Sequence, residues 1–92
     1  MIVSFKDKRT RHIWEGKASR LDPAVQRKAQ LKLRYIHVAH EVTDLYSPPG
    51  NRLEKLSGDR KGQYSIRVNQ QYRICFRWKP DGAEDVEFVD YH

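Results

Sequence analysis

Three arginine side chains lie in two segments of the second half of the chain, at positions that alternate with apolar or aromatic residues. Arg67 lies within residues 63–68, and Arg73 and Arg77 lie within residues 72–78. In both segments the intervening positions are apolar or aromatic, a period of two that is typical of strands with one buried face. If the two strands pair, the three guanidinium groups share the open face of a sheet. Such a face can bind phosphate groups, because guanidinium groups donate paired hydrogen bonds to phosphate oxygens.

The net charge of the chain is positive and unevenly divided. The 92 residues carry 18 Lys and Arg against 12 Asp and Glu, a formal charge of +6. Residues 1–79 hold all 18 basic residues and seven acidic ones, which gives +11, whereas residues 80–92 hold the other five acidic ones, which gives −5. A basic body favours a polyanionic partner such as nucleic acid, a lipid surface or an acidic protein, although dispersed surface charge gives the same balance.

Length and composition exclude several classes of protein. Hydrophobic residues make up 38% of the chain, too many for a disordered protein, and the single cysteine excludes an internal disulfide. That lone cysteine fits a reducing, cytoplasmic environment. No apolar run approaches the roughly 20 residues that cross a bilayer, and Met1–Phe5 is too short for a signal peptide. We therefore expect a single cytoplasmic domain, residues 1–92, without a membrane partner.

The patterns along the chain predict an α+β fold, with helices packed on one face of an antiparallel sheet. Asp7 and Asp22 are helix caps, and Pro23 suits a first helical position. Serine, proline and glycine at 47–51 end helical structure. The predicted helices are 8–15, 22–40 and 41–46, and the predicted strands are 2–5, 52–56, 63–68, 72–78 and 86–92. Phe88 and Val89 are adjacent and both apolar, which predicts a bulge there or a strand buried on both faces.

An ordered set of motifs resembles one protein family over nearly the whole chain. The set consists of Ser47-Pro48-Pro49-Gly50-Asn51-Arg52-Leu53-Glu54, Gly58-Asp59-Arg60, Tyr64–Asn69, Gln71–Trp78 and the terminal Val89-Asp90-Tyr91-His92. Together they are similar to the HigB-type toxins of the RelE superfamily.

The resemblance implies a microbial RNase fold and a ribosome-dependent mRNA endonuclease that uses the substrate 2′-OH as its nucleophile, without a metal or another cofactor. It also implies two kinds of partner. One is a HigA-type helix-turn-helix antitoxin, and the other is mRNA on the ribosome, with contacts to ribosomal RNA.

The resemblance also assigns roles to individual residues. Arg73 is the phosphate clamp, and His92 is the general acid or base, since histidine titrates near neutral pH. Asp90 orients His92 or Arg73 or lies in a solvated acidic end, and Tyr91 stacks on a base, positions the scissile bond or packs in the core. The residues expected to bind substrate are Lys55, Arg60, Arg67, Asn69 and Arg77.

Two positions depart from the family pattern. Some members carry a histidine and a lysine just before the Gly-Asp-Arg turn, where this chain has Glu54 and Ser57. Lys55 could replace the lysine in part, and Glu54 is either a base or an ordinary strand-edge carboxylate. The alternatives are therefore a very slow or non-catalytic RNA- or ribosome-binding module neutralised by an antitoxin, and a module whose basic surface receives an acidic protein.

Two other chemistries are disfavoured. His37 and His40 are three residues apart on a helix, but no third metal ligand lies nearby in the sequence. Cys75 would need a positioned histidine to act as a nucleophile, and a buried structural thiol is the simpler interpretation.

Overall fold

The computed structural model describes residues 1–90, which form two helices and a four-stranded sheet. The helices are α1 (Lys8–Trp14) and α2 (Pro23–Val38), and the strands are β1 (Glu54–Lys55), β2 (Tyr64–Arg67), β3 (Tyr72–Lys79) and β4 (Gly82–Asp90). Short 3₁₀ turns occupy Val42–Tyr46, Pro49–Asn51 and Gly58–Arg60. In the described part of the chain, no helix is long and apolar enough to cross a membrane.

Both helices begin at the aspartates that the sequence predicts as caps. The Asp7 carboxylate accepts a hydrogen bond from the Thr10 backbone N–H at 2.9 Å, and the Asp22 carboxylate accepts one from the Ala24 N–H at 2.8 Å. Each carboxylate satisfies a donor that has no partner within the helix. The two predicted helix starts are confirmed, and α2 ends at Val38 rather than near residue 40.

The sheet is antiparallel throughout, in the order β1-β2-β3-β4. Its register pairs Arg67 with Arg73 and Ser65 with Cys75 on one face. On the other face Ile66 pairs with Ile74, and both are fully buried beneath the helices. The α+β prediction and the predicted division of the strand residues between two faces are confirmed.

The hydrophobic core lies between the helices and one face of the sheet. Leu33 and Ile36 of α2 and Ile13 of α1 are fully buried against Phe76 and Val86 of the sheet. Burial of each such side chain stabilises the fold by about 1.5–3 kcal/mol relative to leaving it exposed. The core therefore fixes which sheet face stays open.

The first residues form less structure than predicted. Residues 2–5 are not a strand, since only isolated parallel bridges join Ile2 to Ala83 and Phe5 to Val86. The segment nevertheless covers the edge of β4, because the Val3 N–H donates to the Ala83 carbonyl at 2.7 Å. The predicted 41–46 helix is a 3₁₀ turn, and the 47–51 segment, predicted to be non-helical, holds another.

The predicted bulge in the last strand lies elsewhere. β4 starts at Gly82, earlier than expected, and its register with β3 shifts between Cys75 and Arg77. Asp85 lies in that interval with φ 53°, a left-handed conformation typical of bulges. The bulge breaks the simple alternation, so Ala83 and Val86 both face the core although they are three residues apart. Alternation then resumes, with Phe88 in the core and Val89 paired with Arg73 on the other face.

Candidate active site

The side chain of Arg73 is held in place by acceptors from two neighbouring elements. It is only 7% exposed, and its Nε donates to the Ser65 hydroxyl oxygen of β2 at 2.8 Å. Its terminal Nη2 donates to the Arg52 carbonyl at 2.6 Å and to the Ser65 carbonyl at 3.3 Å. Hydrogen bonds to a charged donor are stronger than neutral ones, so the guanidinium plane is fixed before any substrate arrives.

Arg73 forms part of the wall of an open pocket, which we call the Arg73 pocket. Its volume is about 470 Å³, and it is lined by Arg52, Glu54, Arg67, Asn69, Gln70 and Arg73. Three guanidinium groups against one carboxylate leave an excess of positive charge. Arg67 and Arg73 are directly paired across two strands, where like charges repel, so an anion bound between them would relieve the repulsion.

Glu54 is the carboxylate of the Arg73 pocket. It pairs with Ser65 in the register, which places it on the open face, and it is exposed to solvent. A carboxylate beside bound RNA can accept a proton or hydrogen-bond a hydroxyl group. Glu54 therefore lies among the arginines that line the Arg73 pocket.

Arg52 is a pocket residue that the sequence analysis did not single out. It follows the Pro49–Asn51 turn with φ 45° and ψ 55°, and this left-handed conformation is uncommon for a residue other than glycine. Its carbonyl accepts a hydrogen bond from Arg73, and the residue also lines the pocket. The predicted strand 52–56 is shorter in the structure, where it covers only Glu54–Lys55. Arg52 therefore belongs to the preceding turn, where the alternation of side chains along a strand does not apply.

Asn69 and Asp90 have structural partners at one end of this region. The Asn69 side-chain oxygen accepts from the backbone N–H groups of Gln71 and Tyr72, each at 2.8 Å, and so closes the β2–β3 turn. Its carbonyl accepts from Arg67 Nε at 3.1 Å. The Asp90 carboxylate accepts from the Gln71 side-chain amide at 3.1 Å. The predicted roles of Tyr91 and His92 concern residues outside the part of the chain that the structure describes.

Arg60 and Arg77 line a second pocket of about 450 Å³ on the same face, separate from the Arg73 pocket. Arg60 Nη1 lies 3.1 Å from a Glu87 carboxylate oxygen, and Arg77 Nε lies 3.9 Å from an Asp85 carboxylate oxygen. The predicted arginines thus share a face but divide along the strands: Arg67 lines the first pocket with Arg73, and Arg77 lines the second.

A third depression separates the two pockets along the β1 edge. Its lining includes Glu54, which also lines the Arg73 pocket, and Arg60, which also lines the second pocket. Lys55 and Ser57 lie there as well. The register pairs Lys55 with Tyr64, so Lys55 alternates away from Glu54 and lines this depression rather than the Arg73 pocket.

Cys75 is a free, buried thiol on the open face of the sheet. It pairs with Ser65 on one side and with Glu87 on the other. Burial raises the pKa of the Cys75 thiol, an effect that the positive charge of Arg60 opposes. A raised pKa keeps the thiol protonated near neutral pH, unlike a nucleophilic cysteine.

The residues of the described chain form no metal site. Within positions 1–90, no group of three or more histidine, cysteine or acidic side chains is placed to hold an ion. His37 instead accepts a hydrogen bond from the Ile2 N–H at 3.1 Å and packs on the ring of Trp14.

Comparison with known proteins identifies the family. The model of a family described as "RelE-like toxin of type II toxin-antitoxin system HigB" matches residues 3–92. The chain belongs to this HigB-like toxin family. The family resemblance of the sequence motifs is confirmed, and an antitoxin partner accompanies membership of a type II toxin–antitoxin family.

Two curated relatives match the full length of this HigB-family chain. Toxin HigB-1 of Vibrio cholerae serotype O1 is 42% identical over 94 residues, which covers 100% of this chain and 98% of that protein. Endoribonuclease HigB of Proteus vulgaris is 32% identical over 93 residues and covers both chains completely. A solved structure, the YoeB-YefM complex from Staphylococcus aureus, matches with a TM-score of 0.65 at 15% identity, over 100% of this chain and 98% of that one. That likeness supports the fold.

Proposed function

We propose that this HigB-family toxin is an endoribonuclease that cleaves translated mRNA on the ribosome. The observation that carries the proposal is Arg73, a buried guanidinium held by Ser65 and by the Arg52 carbonyl at the wall of a cationic pocket. A fixed cation beside an open pocket suits a phosphodiester that gains negative charge during cleavage. The relative from Proteus vulgaris that is named an endoribonuclease supports the same activity.

The proposed reaction is an internal transesterification of RNA. The substrate 2′-oxygen attacks the adjacent phosphorus, the bond from phosphorus to the 5′-oxygen breaks, and a 2′,3′-cyclic phosphate remains. One proton leaves the 2′-OH, and one proton is delivered to the 5′-oxygen. Arg73, with Arg67 and Arg52, stabilises the additional charge on the phosphoryl oxygens in the transition state.

Proton transfer in this reaction needs one acceptor and one donor. Glu54 is the carboxylate that lines the Arg73 pocket, so we assign it the 2′-OH proton. His92 supplies the proton to the leaving 5′-oxygen, with Asp90 as its orienting carboxylate and Tyr91 as a stacking or positioning group. These last three assignments come from the resemblance to the family.

Substrate binding extends beyond the reacting phosphate in this proposal. Arg60 and Arg77 bind a neighbouring part of the strand from the second pocket, and Lys55 does so from the intervening depression. Asn69 shapes the floor of the Arg73 pocket through the turn that it closes. The protein partner is a HigA-type helix-turn-helix antitoxin, and the ribosome contributes ribosomal RNA contacts.

The test compares matched arginine variants on programmed ribosomes carrying a defined mRNA. Wild type and Arg34→Ala, an exposed residue of α2, should both cleave the message, whereas Arg73→Ala should cleave about 100-fold more slowly or less. Cleavage is measured by mapping the new RNA ends. Equal cleavage by the Arg73→Ala variant, or none by the wild type, would overturn the proposal.

A second candidate is a toxin that binds RNA on the ribosome without cutting it. It is favoured by Glu54 and Ser57, which stand where some family members have histidine and lysine. In the same assay this candidate gives stable, salt-sensitive retention on ribosomes with intact mRNA.

A further inference from the structure

A buried ammonium group connects the helical layer to the segment that carries Arg52. Lys32 of α2 is 5% exposed, and its Nζ donates to the side-chain oxygen of Asn51 at 2.6 Å. Burial lowers the pKa of Lys32, and the positive charges of Lys28 and Arg67 lower it further. A charged group in such a place is costly unless its donors are paired, so the bond to Asn51 constrains both residues.

Asn51 passes this constraint to the backbone around it. It is fully buried, and its side-chain NH₂ donates to the carbonyls of Leu45 at 3.2 Å and Ser47 at 3.3 Å. Its own backbone N–H donates to the Pro48 carbonyl at 2.9 Å. The Asn51 side chain therefore links two backbone carbonyls, those of Leu45 and Ser47, to Lys32.

The residue after Asn51 is the one that holds Arg73. Arg52 has φ 45°, a conformation that costs an L-residue energy and persists only where its surroundings impose it. Its N–H donates to the Pro49 carbonyl at 3.1 Å, and its carbonyl accepts from Arg73 at 2.6 Å. If the turn relaxed toward a commoner conformation, the carbonyl would rotate away from the guanidinium.

We propose that Lys32 and Asn51 form a positioning pair that sets the Arg52 carbonyl and, through it, the orientation of Arg73. This inference rests on the proposed function of the Arg73 pocket and adds to it one residue of α2 and one of the Pro49–Asn51 turn. A buried polar pair adds little net stability relative to apolar groups of similar shape. Its effect here is on geometry, so its loss should slow cleavage more than it weakens RNA binding or the fold.

The decisive variant is Lys32→Met, which keeps the length of the side chain and removes the ammonium group. We expect single-turnover cleavage on programmed ribosomes to fall about tenfold or more, while affinity for the ribosome–mRNA complex changes about twofold at most. Lys32→Arg keeps a donor for Asn51 and should restore most of the rate. Ile13→Ala, a core truncation on α1, is the control for lost stability and should leave the rate of the folded protein unchanged.

A second readout does not depend on catalysis. Amide hydrogen exchange at Arg52, whose N–H bonds to the Pro49 carbonyl, should become about tenfold faster in Lys32→Met than in Ile13→Ala. If Lys32→Met does not fold, Asn51→Asp replaces it, because it keeps an acceptor for Lys32 and removes both donors to Leu45 and Ser47.

The outcomes separate the two proposals. If the wild type cleaves and Lys32→Met, or Asn51→Asp in its place, cleaves equally fast, the positioning role is overturned and the proposed function stands. If the wild type cleaves nothing, the proposed function fails, and hydrogen exchange alone decides whether the pair holds the Arg52 turn. Equal exchange at Arg52 in the Lys32→Met and Ile13→Ala variants overturns the positioning role in either case.

Discussion

The chemistry of the Arg73 pocket depends on how individual side chains satisfy one another. The guanidinium of Arg73 is almost completely buried, and a buried charge is costly unless its donors are paired. The Ser65 hydroxyl and the Arg52 carbonyl replace the water that this charge loses on folding. An arginine suits this position better than a lysine, because its planar fork can bond to several fixed acceptors at once.

Ser65→Ala should therefore impair both the fold and the cleavage reaction. The substitution leaves Arg73 Nε without its 2.8 Å acceptor in a buried place, which should lower the free energy of unfolding by about 1–3 kcal/mol. Cleavage on programmed ribosomes should fall about tenfold, since the guanidinium plane loses one support. Urea unfolding measures the first effect. Ser57→Ala, an exposed serine, is the control, and a stability loss as large as that of Ser65→Ala would contradict the explanation.

Cys75 should give the unfolding free energy a pH dependence of known sign. Because burial raises its pKa in the folded state, the folded protein holds the thiol proton more tightly than the unfolded chain does. This stabilisation is complete below the unfolded value, near 9.0, and is lost as the pH rises through the folded pKa. Urea unfolding at pH 7 and pH 10 should show a steeper alkaline loss for wild type than for Cys75→Ala. An equal loss of unfolding free energy between pH 7 and pH 10 in both proteins would mean that the thiol is not desolvated.

At the scale of elements, the long strands form the sheet on which the Arg73 pocket lies, and short irregular segments position groups around that sheet. The Pro49–Asn51 turn positions the Arg52 carbonyl beside Arg73. The bulge at Asp85 orients the next side chain of β4, Val86, toward the core. The extended N-terminal segment covers the edge of β4, which would otherwise expose unpaired backbone groups. These segments are held by specific hydrogen bonds rather than by repeated burial.

Gly82 should be the least replaceable residue of the N-terminal edge. It has φ 135°, and a Cβ atom there would lie 2.1 Å from the Met1 carbonyl oxygen, so both conformation and space exclude a side chain. We expect Gly82→Ala to lower the unfolding free energy by about 2–4 kcal/mol, measured by urea titration. Gly50→Ala is the matched control, because no atom lies within 4 Å of its Cβ position. A change below about 0.5 kcal/mol for Gly82→Ala would contradict this account of the edge.

The elements that the sequence predicted correctly are those with a strong local cause. Asp7 and Asp22 cap helices through their own side chains, and the alternation in β2 and β3 reflects burial of one face. The bulge was misplaced because Phe88 and Val89 look irregular in a list of residues, whereas the register shift arises at Asp85, whose left-handed backbone leaves no signature in composition. Arg52 was missed for the same reason.

For the molecule as a whole, the helices and the open sheet face divide the basic residues between two sides. Arg67 and Arg73 lie on the open side, while Arg27 and Arg34 are exposed on α2. The alternation of side chains along the strands could predict that Arg67 and Arg73 share one face of the sheet. It could not predict the division into two pockets, because the position of a side chain along the face depends on turns and on pairings such as Arg60 with Glu87.

This division predicts which arginines control the salt dependence of RNA binding. Each phosphate contact releases condensed counterions, so the logarithm of the binding constant for single-stranded RNA falls with the logarithm of salt concentration at a slope of about −0.7 per contact. Arg67→Gln and Arg77→Gln should each weaken the slope by about that amount, because both residues line pockets of the open face. Arg27→Gln and Arg34→Gln carry the same charge change on α2 and should leave the slope unaltered. The measurement is titration of a labelled RNA with a 2′-deoxy scissile nucleotide over a range of salt concentrations. The opposite result, with slopes weakened only by the α2 substitutions, would move the RNA-binding surface to the helical side and separate it from Arg73.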